Sequence, residues 1–128
     1  MIDLLTDEQI DQVLNSQVVG RIGCHQNGKT YVVPVAYAFD GTDIYAHSRL
    51  GLKIKVMRTN PRVCFQVDVI DNLANWRSVL LHGDYEELTT TARQLKAYEL
   101  LKSRLSPITT SDAAKPVQNP PPGEKKLR

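Results

Sequence analysis

Asn27-Gly28 sits between two runs of alternating residues, and that arrangement rules out most folds for the first third of the chain. Asn-Gly supplies two positive φ values at low cost, which a two-residue hairpin turn needs. The runs on either side must then be antiparallel neighbours. Residues 18–25 set Val18, Gly20, Ile22 and Cys24 against Val19, Arg21, Gly23 and His25. Two glycines in one short strand predict a bulge or a close backbone contact. Residues 30–39 place Tyr31, Val33, Val35, Tyr37 and Phe39 on one face and Thr30, Val32, Pro34, Ala36 and Ala38 on the other. Both faces are largely apolar, so both are expected to be covered. Pro34 has no N–H to give a ladder. It marks an edge, a bulge, or a place where something other than a strand lies alongside. Asp40-Gly41 predicts a second hairpin into a short strand over 44–48.

Helices flank this β unit. Thr6 and Gln9 form a capping box, with Leu5 and Ile10 placed for a hydrophobic staple. Asp7 and Glu8 suit the positive end of the helix dipole. Ile10, Val13 and Leu14 are the expected buried stripe, and the helix should end near Ser16. Ser48 is read as the N-cap of a second, short helix. Leu50, Ile54 and Met57 share one face there, and Lys53, Lys55 and Arg58 lie off it. Asn60-Pro61 stops it, because proline pushes the preceding residue out of the α region. Val63, Phe65, Val67 and Val69 then alternate with Arg62, Cys64, Gln66 and Asp68. A polar loop over 71–75 leads to a strand over 76–88, with Val79, Leu81, Gly83 and Tyr85 on one parity. Thr91 and Gln94 predict another capping box. It opens a helix to about Leu105 with a stripe of Leu95, Tyr98, Leu101 and Leu105, stopped by Pro107. About five strands tied by two hairpins give an α+β, mainly β, fold: a small antiparallel barrel with peripheral helices.

A chain of 128 residues, 41% hydrophobic and 23% charged, supports one globular domain. That domain is expected over 1–105, with 106–128 as a Pro-rich extended tail whose basic tip is a solubilising end. The tail carries the whole net charge of +2, so residues 1–105 are neutral. A neutral domain without a basic stripe argues against nucleic acid as a partner. No apolar run reaches membrane-span length, and MIDLLTDEQ lacks the basic start of a signal peptide. The expected location is the cytoplasm, with no membrane partner, and Cys24 and Cys64 are expected as reduced, buried core thiols.

Candidate chemistry is sparse. A helix start carrying Ser48, Gly51, Arg49 and Lys53 can hold a phosphate, through free N–H groups, the dipole and the cations. The alternative is an ordinary cap followed by a solvated basic face. His25, His47 and His82 lie on three different strands, and none stands at metal-ligand spacing from another ligand. His47 runs into the phosphate-like turn and is the one histidine expected near a ligand and the candidate general acid. Trp76 is either a strand-end packing residue or an aromatic wall for a planar ligand.

Several short strings occur in a telling order: Val33-Pro34-Val35, Asp40-Gly41, Tyr45-Ala46-His47-Ser48, Gly51-Leu52-Lys53 and Asn60-Pro61-Arg62-Val63-Cys64-Phe65. Trp76-Arg77-Ser78-Val79 and His82-Gly83 follow. This set resembles the FMN-binding split-barrel family related to pyridoxamine 5′-phosphate oxidase. It is most similar to the branch that includes the Nim-type nitroimidazole-resistance proteins. The resemblance covers residues 3–105. It implies a homodimer with FMN at the interface. Lys53 would hold the FMN phosphate with Ser48 and Arg49. The backbone of Val33, Pro34 and Val35 would line the flavin ring with Ala46 and His47. Asn75, Trp76 and Ser78 would come from the other subunit. The implied activity is an FMN-dependent oxidoreductase, passing electrons from a nicotinamide to a small electrophile such as a nitro compound. The implied alternative is a non-catalytic flavin or haem binder, with His47 or His82 as the haem ligand. A deazaflavin is a further cofactor of such barrels. Two departures stand out. The basic set that would hold the phosphate of a vitamin B6 substrate is missing, and Leu52 stands where many relatives carry an arginine.

Overall fold

The structure is a computed structural model and describes residues 4–47, 51–105 and 125–127. Thr6 caps the first helix, α1 (Asp7–Ser16), as expected. Its hydroxyl accepts from the Gln9 N–H at 3.2 Å, and Gln9 Oε1 accepts from the Thr6 N–H at 2.8 Å. Val13 and Leu14 are buried, and Leu5 and Ile10 pack on the same core. Two long strands follow, β1 (Val19–Gln26) and β2 (Lys29–Phe39). Asn27 and Gly28 take φ of 52° and 77° between them, the left-handed pair that a tight hairpin requires. The Asp40 carboxylate then accepts the N–H groups of Thr42 and Asp43 at 2.8 and 2.7 Å, turning the chain into β3 (Ile44–Ala46).

After β3 come α2 (Leu52–Thr59), β4 (Arg62–Asn72), β5 (Asn75–Glu87), α3 (Thr91–Leu105) and β6 (Lys125–Leu127). The strands close in the order β1-β2-β3-β6-β5-β4, every pairing antiparallel. The expected mainly β barrel with peripheral helices is what the chain forms. Its interior holds Ile22, Cys24, Val35, Tyr37, Val63, Phe65, Val67, Val79 and Tyr85. Ile54, Val56 and Met57 of α2 are also fully buried.

The two glycines of β1 mark close packing, not a bulge. A Cβ on Gly20 would lie 2.3 Å from the Phe65 ring, and one on Gly23 would lie 2.7 Å from Cys64 Sγ. Phe65 is held on all sides in the core, whereas Cys64 is half-exposed and free to turn. Gly20→Ala should therefore cost about 1–3 kcal/mol, the range for overpacking a core, and Gly23→Ala distinctly less. Urea midpoints of the two variants check the order.

Several expectations are corrected. The Ser48 cap is replaced by Gly51, which sits in the N-cap position of α2 without a side-chain bond. Ser48, Arg49 and Leu50 lie outside the described residues. The polar loop over 71–75 is a tight hairpin. The Asn72 carboxamide oxygen accepts from the N–H groups of Ala74 and Asn75, so both strands run to the turn. The second capping box does not form. Gln94 N–H donates to the Thr90 carbonyl, making Thr91 the first helical residue, and the Gln94 side chain donates to the Leu88 carbonyl. Ala97 and Leu101 are the buried residues of α3, while Leu95 faces solvent. Cys64 belongs to the outer face of β4, not the core. The outer face of β2 is uncovered in one chain, with Val32 63% exposed. Pro107 lies outside the described residues. The tip of the tail, read as a solubilising end, instead pairs as β6 between β3 and β5.

Candidate functional site

Pro34 sits at the point where the barrel wall opens. β1 pairs with β2 over the whole strand, but β3 pairs only with Tyr37–Phe39. Among the described residues, 29–36 have no strand on that side. Tyr37 N–H donates to the Val18 carbonyl. Alternation along an antiparallel ladder then turns the backbone groups of Val33 and Val35 toward β1. Those of Val32, Pro34 and Ala36 point to the open edge. Pro34 therefore costs no ladder bond. The edge offers carbonyls at Val32 and Pro34 and an N–H at Ala36. Ala46, buried, ends β3 opposite Tyr37, just beyond this edge, and His47, half-buried, follows it.

Lys53 stands in the first turn of α2. The far end of that helix is pinned twice. Asn60 Nδ2 donates to the His25 carbonyl at 2.9 Å, and Arg58 makes two bonds to the Glu87 carboxylate at 3.1 and 2.7 Å. So α2 is fixed to both β1 and β5, and Lys53 is placed with it. Burial lowers the Lys53 pKa, opposed by the nearby Cys24 thiol inside the barrel. Burial also pushes the Cys24 thiol up, with Cys64 adding to it. Lys53 has no carboxylate partner among the described residues. A partly desolvated ammonium without a counter-charge is an anion receptor.

The remaining expected residues lie elsewhere. Pro34, Arg21, Gln66 and Leu80 form one row across β2, β1, β4 and β5. Trp76 is four residues further along β5. Three strand spacings and four residues separate it from Pro34, roughly 14 Å across the sheet and 13 Å along it. Asn75, Trp76 and Ser78 are exposed at this distant hairpin, where Trp76 pairs with Ile70 and Ser78 with Asp68. One chain does not bring them to the open edge. Of the other histidines, His82 is cross-strand from Cys64 on the outer face and His25 is exposed on the outward parity of β1, so neither faces the barrel interior.

A family profile described as pyridoxamine 5′-phosphate oxidase matches residues 6–127. This chain belongs to the pyridoxamine 5′-phosphate oxidase family. Within it, an uncharacterised Rhizobium meliloti protein is 30% identical over 105 residues, 79% of this chain and 70% of that one. The crystal structure of a FAD-binding protein from Mesorhizobium loti is 35% identical. It superposes with a TM-score of 0.79 over 96% of this chain and 87% of that one. A candidate 5-nitroimidazole antibiotic resistance protein from Bacteroides thetaiotaomicron shares the fold at a TM-score of 0.77 and 18% identity. That match covers 98% of this chain and 81% of that one. The Nim-type branch is thus one neighbour among several of this oxidase-family chain.

Three residues beside Trp76 had no signal in the sequence, Gln12 and Ser16 of α1 and Asp71 of the β4–β5 hairpin, and Arg77 entered only as part of a family string. Gln12 and Ser16 stand four apart on a capped amphipathic helix, where polar residues are ordinarily solvent-facing. Only the fold brings them around one cavity with residue 76.

Proposed function

We propose that this chain is a flavoprotein that holds FMN between two copies of itself. The observations that carry this are Lys53, a partly desolvated cation with no carboxylate partner among the described residues, on the helix that packs against β1, and the open edge of β2, the strand beside β1. The flavin phosphate would supply the missing counter-charge, with the free N–H groups of the first turn of α2. Ser48 and Arg49 are proposed to assist. The ring would lie along Val33, Pro34 and Val35, next to Ala46 and His47. The Pro34 carbonyl and the Ala36 N–H match a ring edge that both donates and accepts. Asn75, Trp76 and Ser78 cannot reach this edge in one chain, which supports their coming from a second copy. An exposed apolar face supports the same arrangement: Val19, Val32 and Leu80 on the sheet, and Ile70, Leu73 and Trp76 at the hairpin. A FAD-binding relative at 35% identity supports a flavin.

Bound FMN would supply hydride acceptance from a nicotinamide and delivery of electrons to a small electrophile such as a nitro compound. The chain's own part is to hold the phosphate at Lys53, fix the ring on the β2 edge, exclude water and keep a proton at His47.

The visible spectrum of the purified protein is the test, with the released chromophore identified by chromatography as FMN or FAD. Lys53→Ala should weaken FMN binding by about 1.5–3 kcal/mol, one charge-assisted contact, or roughly 10- to 150-fold. A colourless protein that does not bind added flavin ends this reading. Unchanged affinity in Lys53→Ala moves the phosphate elsewhere.

A further inference from the structure

The inner face of β4 and β5 runs on past the core. Val67 pairs with Val79 inside the barrel, and the next pair on the same face is Val69 with Arg77. Helix α1 packs across both strands at this end. It does not lie flat on them, and a cavity of about 490 Å³ remains between helix and hairpin. That volume is within the range of small-molecule sites, about 300–1,000 Å³. Val13 of α1 and Val69 of β4 give it an apolar floor. The side chains of Trp76 and Ser78 alternate to the outer face with Leu80 and take no part in it.

Two opposite charges share this wall without meeting. Asp71 is the extra residue of a β-bulge, since the pairing passes from Ile70–Trp76 to Asn72–Asn75 and skips it. A bulge re-aims the side chain of its extra residue, and Asp71 lines the cavity together with Arg77. The two are diagonal neighbours on adjacent strands, a separation that a long side chain can span. Neither makes an ion pair among the described residues. From α1, Gln12 adds one donor group and one acceptor. The Ser16 hydroxyl is already committed, donating to the Val13 carbonyl at 2.9 Å. Simple ligands leave part of this lining unmet. An anion would meet Asp71, a cation would meet Arg77, and a hydrocarbon would leave both charges to water. A small molecule that carries both charges and an apolar part matches the wall and the floor together.

We propose that this cavity binds a small zwitterion, an α-amino acid with an apolar side chain. Arg77 donates to its carboxylate, Asp71 accepts from its ammonium, and Val13 and Val69 meet its side chain, with Gln12 at the rim. None of these residues belongs to the flavin site, so the proposal goes beyond the flavin reading and needs neither the flavin nor the second copy.

The full-length protein is titrated with leucine and, separately, with phenylalanine, read by calorimetry and by saturation-transfer NMR on the ligand protons. N-acetyl-leucine, which lacks the ammonium, and leucinamide, which lacks the carboxylate, are the comparisons. The parent amino acids should bind saturably and each derivative about tenfold more weakly. That is the low end for one charge-assisted contact, because both groups face water. Arg77→Ala should weaken leucine by the same factor and no longer distinguish it from leucinamide. Asp71→Asn should do so against N-acetyl-leucine. Both side chains are exposed and make no ion pair among the described residues, so both variants should fold. Lys53→Ala should leave leucine binding unchanged while weakening FMN, so failure here and failure of the flavin site are separate results. No saturable binding of either amino acid, a derivative that binds as tightly as leucine, or equal affinity in Arg77→Ala overturns the proposal.

Discussion

On the proposed arrangement of a flavin held between two copies, Leu80→Asp should convert the dimer to a monomer and strip its flavin. Leu80 is 56% exposed on the outer face of β5, in the row shared with Pro34, Arg21 and Gln66 and on the same face as Val32 and Val19. Facing water in one chain, it contributes little to the fold of that chain, and its replacement should leave the monomer folded. In a twofold dimer the same patch meets itself, so one substitution enters the interface twice. Each buried carboxylate without a partner costs several kcal/mol, and two weaken association by roughly 10⁴-fold or more. The flavin follows because Asn75, Trp76 and Ser78 would then be missing from each site. Light scattering with flavin stoichiometry reads both effects. A variant that stays dimeric places the interface on another face. A monomer that keeps its flavin shows that a single chain is sufficient to hold it.

The fold was legible wherever a local rule had a local cause. Asn27-Gly28 dictates φ values, and the hairpin follows whatever the rest of the chain does. The Thr6–Gln9 box is closed within four residues, and it formed. Where the same kind of rule competed with tertiary contacts, it failed. Thr91 and Gln94 have the spacing of a cap, but the Leu88 carbonyl draws the Gln94 side chain instead. Asp71 to Asn75 reads as loop by composition, yet the Asn72 side chain supplies a tight turn and the strands run right up to it. Cys64 was misplaced because an apolar thiol suits either face. Its direction is set by alternation from Val63 and Phe65, and Gly23 leaves room for it outside. The closure by β6 had no signal at all, since Pro-rich composition hides a three-residue pairing that depends only on backbone groups.

The candidate site was legible in part. Pro34 announced an open edge by what it lacks, and the edge is there. Lys53 could be named from a helix start, but that it has no carboxylate partner among the described residues is a property of the packed structure. The cavity beside the hairpin is lined by two elements some sixty residues apart in sequence, α1 and the hairpin itself. No spacing rule connects them.

Raising the pH from 10 to 12 is expected to destabilise the protein sharply, with Tyr37 as a main cause. Its hydroxyl donates to the Leu14 carbonyl at 2.6 Å, and its ring meets Phe65 edge-on at 5.0 Å. The residue is fully buried. Burial pushes its pKa from 10 up to about 12, with Arg104 opposing. Below about pH 10 the folded and unfolded chains both keep this proton, and its contribution to stability is whole. Between about 10 and 12 the unfolded tyrosine ionises while the folded one does not. Stability then falls by about 1.4 kcal/mol per pH unit, roughly 2–3 kcal/mol over the window. Tyr85 moves the same way, raised first by burial and then by the Glu87 charge, and adds to the loss. Tyr37→Phe separates the two tyrosines. At pH 7 it should be less stable than the natural protein by about 1 kcal/mol, one hydrogen bond. It has no phenol to ionise, so its urea midpoint should fall less steeply, and the two proteins should converge or cross before pH 12. Parallel decline would mean that Tyr37 ionises as readily folded as unfolded, and that the contact to α1 does not hold its proton.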